Sequence, residues 1–220
     1  MTALSINAII FDLDGTLADT IGDLAASVNA TLTAHDFPRH PLADYRTMVG
    51  NGFAALIQRA LPREAAEDDR TFKGLLAEAS SLYARESLAT TKPYPGIPEL
   101  LSELQERRIP CAVLSNKPDD MTRRMVSSLF PEILFLAVIG DKASRPKKPN
   151  PASALAIAGL AGIPPSRFAF VGDSGVDMET ASSAGMLPLG ASWGYRSIEE
   201  LEAHGAFAIL EKPSELLRRL

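Results

Sequence analysis

Two aspartates one residue apart, Asp12 and Asp14, follow directly on the apolar run Ile9-Ile10-Phe11 and precede Gly15 and Thr16. A short apolar run of this kind reads as a buried strand. The pair therefore sits at the carboxyl end of a strand, where open parallel sheets form their ligand crevice. Two carboxylates ~4 Å apart at an effective dielectric near 20 repel by about 4 kcal/mol, a cost that Asn or Ser would avoid in an ordinary turn. Something positive is expected beside them. The bland alternative is a solvated turn, but residue usage of ~5–7% per type makes the four fixed positions a chance match in about one window in 10⁵.

Three further stretches carry chemistry-bearing residues next to apolar runs. Ser115-Asn116-Lys117 follows Cys111 to Leu114, Lys148-Pro149-Asn150-Pro151 opens a helical pattern, and Gly172-Asp173-Ser174-Gly175-Val176-Asp177 follows Phe168 to Val171. Taken alone, a Ser-Asn pair after a strand also reads as a helix cap, and a Lys before Pro as a solvated side chain. The last stretch is more specific, because a helix would put Asp173 and Asp177 on neighbouring turns.

These residues need elements to hold them. Strand-like runs occur at Ile6 to Phe11, Cys111 to Leu114, Ile133 to Ile139, Phe168 to Val171, Leu187 to Ala191 and Phe207 to Leu210. Helical patterns at Asp119 to Leu129, Pro151 to Ala161, Gly175 to Ala184 and Ser197 to His204 lie between most of them, the alternation of a doubly wound sheet. The expectation is an α/β fold with a Rossmann-like parallel sheet core flanked by helices. After Phe11, however, no strand pattern returns for about ninety residues. Helical segments at Thr20 to Ala34, Leu42 to Val49, Gly52 to Ala60 and Glu64 to Leu88 fill that block, and Lys92-Pro93-Tyr94-Pro95-Gly96 closes it. It reads either as an inserted α-helical cap or as a helical subdomain with no part in the chemistry. The division that follows is a core of residues 1–16 and 92–220 and a cap of residues 17–91.

Composition narrows the function classes. The chain has 220 residues, 46% of them hydrophobic, so it can bury a substantial core. Lys and Arg number 22 against 27 Asp and Glu, a net charge of −5, which argues against a polyanion-coating surface; no nucleic-acid partner is expected. The longest apolar run falls far short of the ~18 residues that span a bilayer, and no basic segment leads into a signal-type stretch. No membrane association and a cytoplasmic location are expected. The single cysteine, Cys111, reads as a buried thiol.

The Asp12-Leu13-Asp14-Gly15-Thr16 loop, Leu114-Ser115-Asn116-Lys117, Lys148-Pro149-Asn150-Pro151 and Val171-Gly172-Asp173-Ser174-Gly175-Val176-Asp177, in this order, resemble the four motifs of the haloacid dehalogenase superfamily. The helical block falls where subfamilies with an α-helical cap carry it, so the resemblance covers nearly the whole chain. It implies that Asp12 is a nucleophile forming an aspartyl-phosphate and that Asp14 is the general acid and then base. The second Asp favours phosphoryl chemistry over halide displacement. It implies a Mg2+ ion held by Asp12, Asp173, Asp177 and the Asp14 backbone carbonyl. Ser115, Asn116 and Thr16 would meet the phosphoryl group, and Lys148, rather than Lys147, would bridge Asp12 and the phosphate. A charge count of four aspartates and a phosphate against one cation and Lys148 leaves a negative surplus, which a protonated Asp14 would relieve.

Val49-Gly50-Asn51-Gly52-Phe53 and Leu56 to Leu61 are similar to the cap of phosphoglycolate phosphatases within that superfamily. Gly50 and Gly52 would let backbone N–H groups approach a small carboxylate at a helix start, with Asn51 between them; equally, they form the turn between two helices. Arg46 and Arg59 are candidates for an anionic tail, or belong to a solvated helix face. Trp193-Gly194-Tyr195 sits near the crevice mouth or packs on the cap hinge. His35, His40 and His204 are read as solvent-facing. The expected function is hydrolysis of a small phosphomonoester such as 2-phosphoglycolate by a monomer or homodimer. A sugar phosphomutase, a pyrophosphatase and a non-catalytic phosphate-binding module are the rivals.

Overall fold

A computed structural model describes residues 6–220; the first five positions of the expected core segment 1–16 lie outside them. The first apolar run forms β1 (Ala8–Phe11), all four residues inaccessible. The chain then makes the two-residue strand β2 (Ala18–Asp19), helices α1 (Ile21–Ala34), α2 (Leu42–Met48), α3 (Phe53–Ala60), α4 (Arg63–Glu67) and α5 (Asp69–Glu86), and strand β3 (Lys92–Pro93). Beyond it come α6 (Ile97–Glu106), β4 (Cys111–Pro118), α7 (Asp119–Leu129), β5 (Ala137–Asp141), α8 (Ala152–Ala161), β6 (Phe168–Gly172), α9 (Gly175–Ser183), β7 (Leu187–Ala191), α10 (Ile198–Ala203) and β8 (Ala208–Leu210).

Six strands form one parallel sheet in the order β5-β4-β1-β6-β7-β8. β1 lies in the middle, with Phe11 beside Val113 on one edge and Val171 on the other. Side chains alternate across a strand. Ile9 and Phe11 accordingly pack in the apolar layer that includes α6, α7 and the helical block, whereas Ala8 and Ile10 pack with α8 and α9. Both faces are covered, which is why the β1 run is continuously apolar rather than alternating.

The structure corrects several boundaries. β1 begins at Ala8, not Ile6, and β5 begins at Ala137, not Ile133, because Leu134 is 85% exposed and pairs with no strand. The block after β1 is not purely helical: β2 and β3 pair antiparallel, Ala18 with Pro93 and Asp19 with Lys92, so the segments entering and leaving the block run side by side. The expected helix from Glu64 to Leu88 is two helices. Its apolar periodicity runs on, but Asp68 adopts extended backbone and its side chain accepts from Thr71 N at 2.8 Å, starting α5 afresh.

A second tie joins the same two segments. Asp23, in the first turn of α1 and 3% exposed, accepts from the backbone and hydroxyl of Thr90 (2.9 and 2.6 Å) and of Thr91 (2.9 and 2.7 Å). Burial raises the Asp23 pKa, but these hydrogen bonds outweigh it and hold the carboxyl below its ordinary value. A lowered folded-state pKa adds stability above the ordinary carboxylate range that is lost as pH falls through the folded value. Replacing Asp23 by Ala should destabilise the fold by about 2–3 kcal/mol at neutral pH. Chemical denaturation across the acid range should show the deficit shrinking as pH falls; a deficit that does not change with pH would mean the carboxylate charge plays no part.

Candidate active site

The loop after β1 is placed by its neighbours. Asp12 N donates to Val171 O at 2.9 Å, extending the strand pairing by one residue and aiming the side chain over the sheet's carboxyl edge. Gly15 then turns the chain at a φ of 87°, a conformation that suits glycine. A side chain there would fall on the Asp173 carboxylate, and so would one at Gly194. Ser115, Asn116 and Lys117 lie within β4, and Asp173 follows β6 directly, so the three adjacent strands β4, β1 and β6 deliver the site together. Over their ends opens a cleft of about 520 Å³ lined by Asp12, Asp14, Ser115, Asn116, Lys117 and Asp173, with Gly50, Gly52, Phe53 and Leu56 from the helical block.

Two buried lysines divide the carboxylates between them. Lys148 Nζ lies 2.8 Å from Asp12 Oδ1 and 2.6 Å from Asp177 Oδ1, above the Phe170 ring. Lys117 Nζ lies 2.6 Å from Asp14 Oδ1, above the Tyr83 ring. Burial alone would lower both ammonium pKa values, but the partner carboxylates raise them above the ordinary value. Asp177 is the third residue of α9 and its Oδ2 accepts from Ser174 N (3.1 Å) and Oγ (2.7 Å), a capping box. Asp173 accepts from Thr16 Oγ1 (3.2 Å) and from Tyr195 N (2.8 Å). Burial pushes Asp12 up to about 7 despite the lowering pull of Lys148, with Asp177 and Asp14 adding to the rise. Burial, with Asp177 and Asp12, pushes Asp173 well above its ordinary value. The site concentrates more negative charge than its lysines balance.

The profile of the haloacid dehalogenase-like hydrolase family matches residues 9–191, which contain every carboxylate and lysine just described. The chain belongs to that family. It is 34% identical over 212 residues to a protein of Pseudomonas putida named phosphoglycolate phosphatase, covering 95% of this chain and 78% of that one. A Rhodospirillum rubrum protein of the same name is 34% identical, with 93% and 86% covered. A solved structure from Haemophilus somnus, described as a predicted phosphoglycolate phosphatase, superposes with a TM-score of 0.90 at 29% identity over 97% of each chain.

Not every residue singled out in the sequence meets the cleft of this hydrolase. Arg59 is exposed and donates to Met48 O at 2.6 Å, closing the end of α2, so the structure does not place it at a substrate tail. Thr16 is fully buried behind Asp173 and orients that carboxylate rather than lining the cleft. Asp173 precedes α9 instead of sharing a helix with Asp177; Ser174 is the N-cap between them. Lys148 bridges Asp12 to Asp177, while the exposed Lys147 donates to Asn51 O at 3.0 Å. The carbonyls of Gly50 and Asn51 accept from Asn116 Nδ2 (3.3 Å) and Lys147 Nζ. His40 is half-buried with Nε2 2.8 Å from Ala60 O, not solvent-facing. Cys111 is buried, and burial pushes its thiol up to about 12. Among the described residues no helix is long and apolar enough to cross a membrane.

Four residues add contacts to the sequence reading. Lys117 is a second cation beside Lys148 that the charge count did not include; with it the negative surplus is smaller by one but remains. Thr20 Oγ1 donates to Asp14 Oδ1 at 2.6 Å, and Thr20 N donates to Tyr195 Oη at 2.9 Å. The Asn116 side chain brackets the Lys148 backbone, donating to its carbonyl (3.0 Å) and accepting from its N–H (2.9 Å). Trp193 Nε1 donates to Thr16 O at 3.0 Å, so the Trp193-Gly194-Tyr195 loop braces the aspartate loop from outside.

The donor set fits a divalent cation. Asp12, Asp173 and Asp177 each offer a carboxylate oxygen, all within 4.8 Å of one another. Asp12 Oδ1 is buried and accepts no hydrogen bond, its Lys148 contact being a charge pairing without hydrogen-bond alignment. Crowded hard oxygens with one unsatisfied atom are what an ion such as magnesium takes. Because Thr16 fixes an Asp173 oxygen, Thr16→Val should weaken Mg2+ binding about 10–100-fold. Calorimetric titration would read this, and unchanged affinity would leave orientation of Asp173 to the Tyr195 N–H alone.

Proposed function

We propose that this chain is a magnesium-dependent phosphatase that hydrolyses a small phosphomonoester, with 2-phosphoglycolate the foremost candidate, through a phosphoryl group carried on Asp12. The observation that carries this reading is the pairing of Asp12 and Asp14 at one cleft with separate lysines, which gives two neighbouring carboxylates different surroundings. Residues 1–16 and 92–220 supply the reacting groups, and the helical segment 17–91 covers the cleft.

An Asp12 carboxylate oxygen attacks phosphorus as the bond to the substrate alcohol breaks, and Asp14 gives its proton to the departing alkoxide. The acyl phosphate is then cleaved by a water that loses its proton to Asp14; the phosphorus–Asp12 bond breaks and the carboxylate returns. Lys117 and Thr20 both meet Asp14 at Oδ1, so the proton is carried on Oδ2. Ser115 Oγ accepts from Lys117 N at 3.3 Å, which directs its own hydroxyl proton elsewhere, toward a phosphoryl oxygen, beside the Asn116 backbone N–H. Lys148 neutralises Asp12 and Asp177 as charge builds on the phosphoryl oxygens. A divalent cation at Asp12, Asp173 and Asp177 supplies Lewis acidity and a template when bound. The support comes from this geometry together with the names of the relatives at about one-third identity.

A panel of phosphomonoesters assayed for phosphate release with Mg2+ tests the reaction class. Asp14→Asn should slow turnover roughly 10²–10⁴-fold. Asp12→Asn should lose several orders of magnitude and, unlike the parent, leave no acyl phosphate on residue 12 when a single turnover is quenched in acid. Near-parental activity of Asp12→Asn would overturn the covalent route, and dependence on an added sugar bisphosphate would reassign the enzyme to phosphoryl transfer between sugar positions.

A further inference from the structure

Where the cleft meets the helical block, the segment linking α2 to α3 presents backbone carbonyls to side chains of the sheet domain. Arg196, on the loop after β7, donates from Nη2 to Val49 O (2.7 Å) and Thr47 O (3.0 Å). Asn116 meets Gly50 O and Lys147 meets Asn51 O. Of these donors, Arg196 and Asn116 line the cleft and Lys147 does not.

The charges of the cleft differ in how fully they are matched. Lys117 and Arg196 are its two cationic lining residues. Lys117 is neutralised at 2.6 Å by Asp14. Arg196 has only Glu200, 3.7 Å from Nε, and its close partners are carbonyls without net charge. No described residue accepts a hydrogen bond from its Nη1. The Arg196 side chain is 17% exposed, so its charge is neither sealed in a close ion pair nor fully in bulk water. Gly50 lies beside the guanidinium: at a φ of 121° a side chain there is strained, and its Cβ would stand in ordinary contact, 3.6 Å from Nη2.

Resting on the phosphatase reading above, we infer that Arg196 is the specificity residue of the cleft, recognising a carboxylate at the non-reacting end of the phosphomonoester. With both Nη2 protons donated to carbonyls, Nη1 keeps two N–H donors and the guanidinium its fixed charge to offer a carboxylate. The substrate class is a short phosphorylated hydroxy acid. Because Nη2 also holds the last carbonyls of α2, a substrate bound at Arg196 is bound at the junction that covers it.

The test compares kcat/KM for 2-phosphoglycolate with that for ethyl phosphate, which keeps the two-carbon chain and lacks the carboxylate. The parent should prefer 2-phosphoglycolate. Arg196→Gln, which also cuts the ties to Thr47 and Val49, should lower kcat/KM for it about 10–100-fold more than for ethyl phosphate, the value of a charged hydrogen bond. Arg196→Lys should fall between parent and Arg196→Gln. Lys147→Ala, which removes a different tie to the same segment, should move both esters equally. Equal losses for both esters in Arg196→Gln would overturn the assignment and reduce Arg196 to a brace for α2. A parent that hydrolyses both esters without preference would overturn recognition by Arg196 and leave the phosphatase reading standing. A parent that hydrolyses neither would overturn both.

Discussion

Negative charge gathered at the ends of three adjacent strands is the constraint that the remainder of this structure answers. Asp12, Asp14, Asp173 and Asp177 converge there against two buried ammonium groups, Lys117 and Lys148. Neither set is stable alone, since an unpaired buried charge costs several kcal/mol. The fold therefore devotes fixed donors to each carboxylate: the capping box of α9 on Asp177, Thr16 and the Tyr195 N–H on Asp173, Thr20 on Asp14. Asp177 also benefits from its place in the first turn of α9, where the helix dipole favours a negative group. Asp12 is the exception, with one buried oxygen that has the Lys148 ammonium beside it but no aligned hydrogen bond.

The two leading carboxylates depend on different parts of the chain. Asp12 is held by β6 and Lys148, both within the sheet domain. Asp14 is held by Thr20, the residue before α1, and by Lys117, which lies 4.8 Å from the ring centre of Tyr83 in α5. The helical block thus meets the surroundings of Asp14 directly, through Thr20 and Tyr83, and those of Asp12 through Asn116, which bonds both Gly50 O and the backbone of Lys148.

Much of this was legible because the information is local. A carboxylate directly after a buried strand is fixed in space by the strand's pairing, so Asp12, Asp14 and Asp173 could be placed from a few neighbours each. Lys148 could be told from Lys147 by its register with Pro149 and Pro151, and the structure buries the former while exposing the latter. What escaped depends on contacts across the fold. Lys117 lies in a motif whose Ser and Asn drew the attention, and only the residual negative charge pointed to a missing cation. Arg59 sits on an amphipathic helix whose pattern cannot say which polar face meets a cleft. The break at Asp68 shows a local cap overriding a periodicity that was otherwise continuous, and the β2–β3 pair is too short to leave a strand pattern.

The helical block is joined to the sheet domain by ties of two strengths, and their difference bears on how a site can be dry for one step and wet for the next. Near the chain crossings the β2–β3 pairing runs beside the buried Asp23, and a carboxylate with four close donors cannot exchange them for water cheaply. At the cleft, single side chains meet backbone carbonyls at Thr47, Val49, Gly50 and Asn51, all but Val49 exposed or half-buried, each a bond that water can replace at a net cost of about 1 kcal/mol. Strain applied between the two parts would release the second set long before the first. The architecture places the firm ties where the chain crosses and the yielding ones over the cleft, so opening there needs no unfolding at the crossings and would admit the water that the proposed second step consumes.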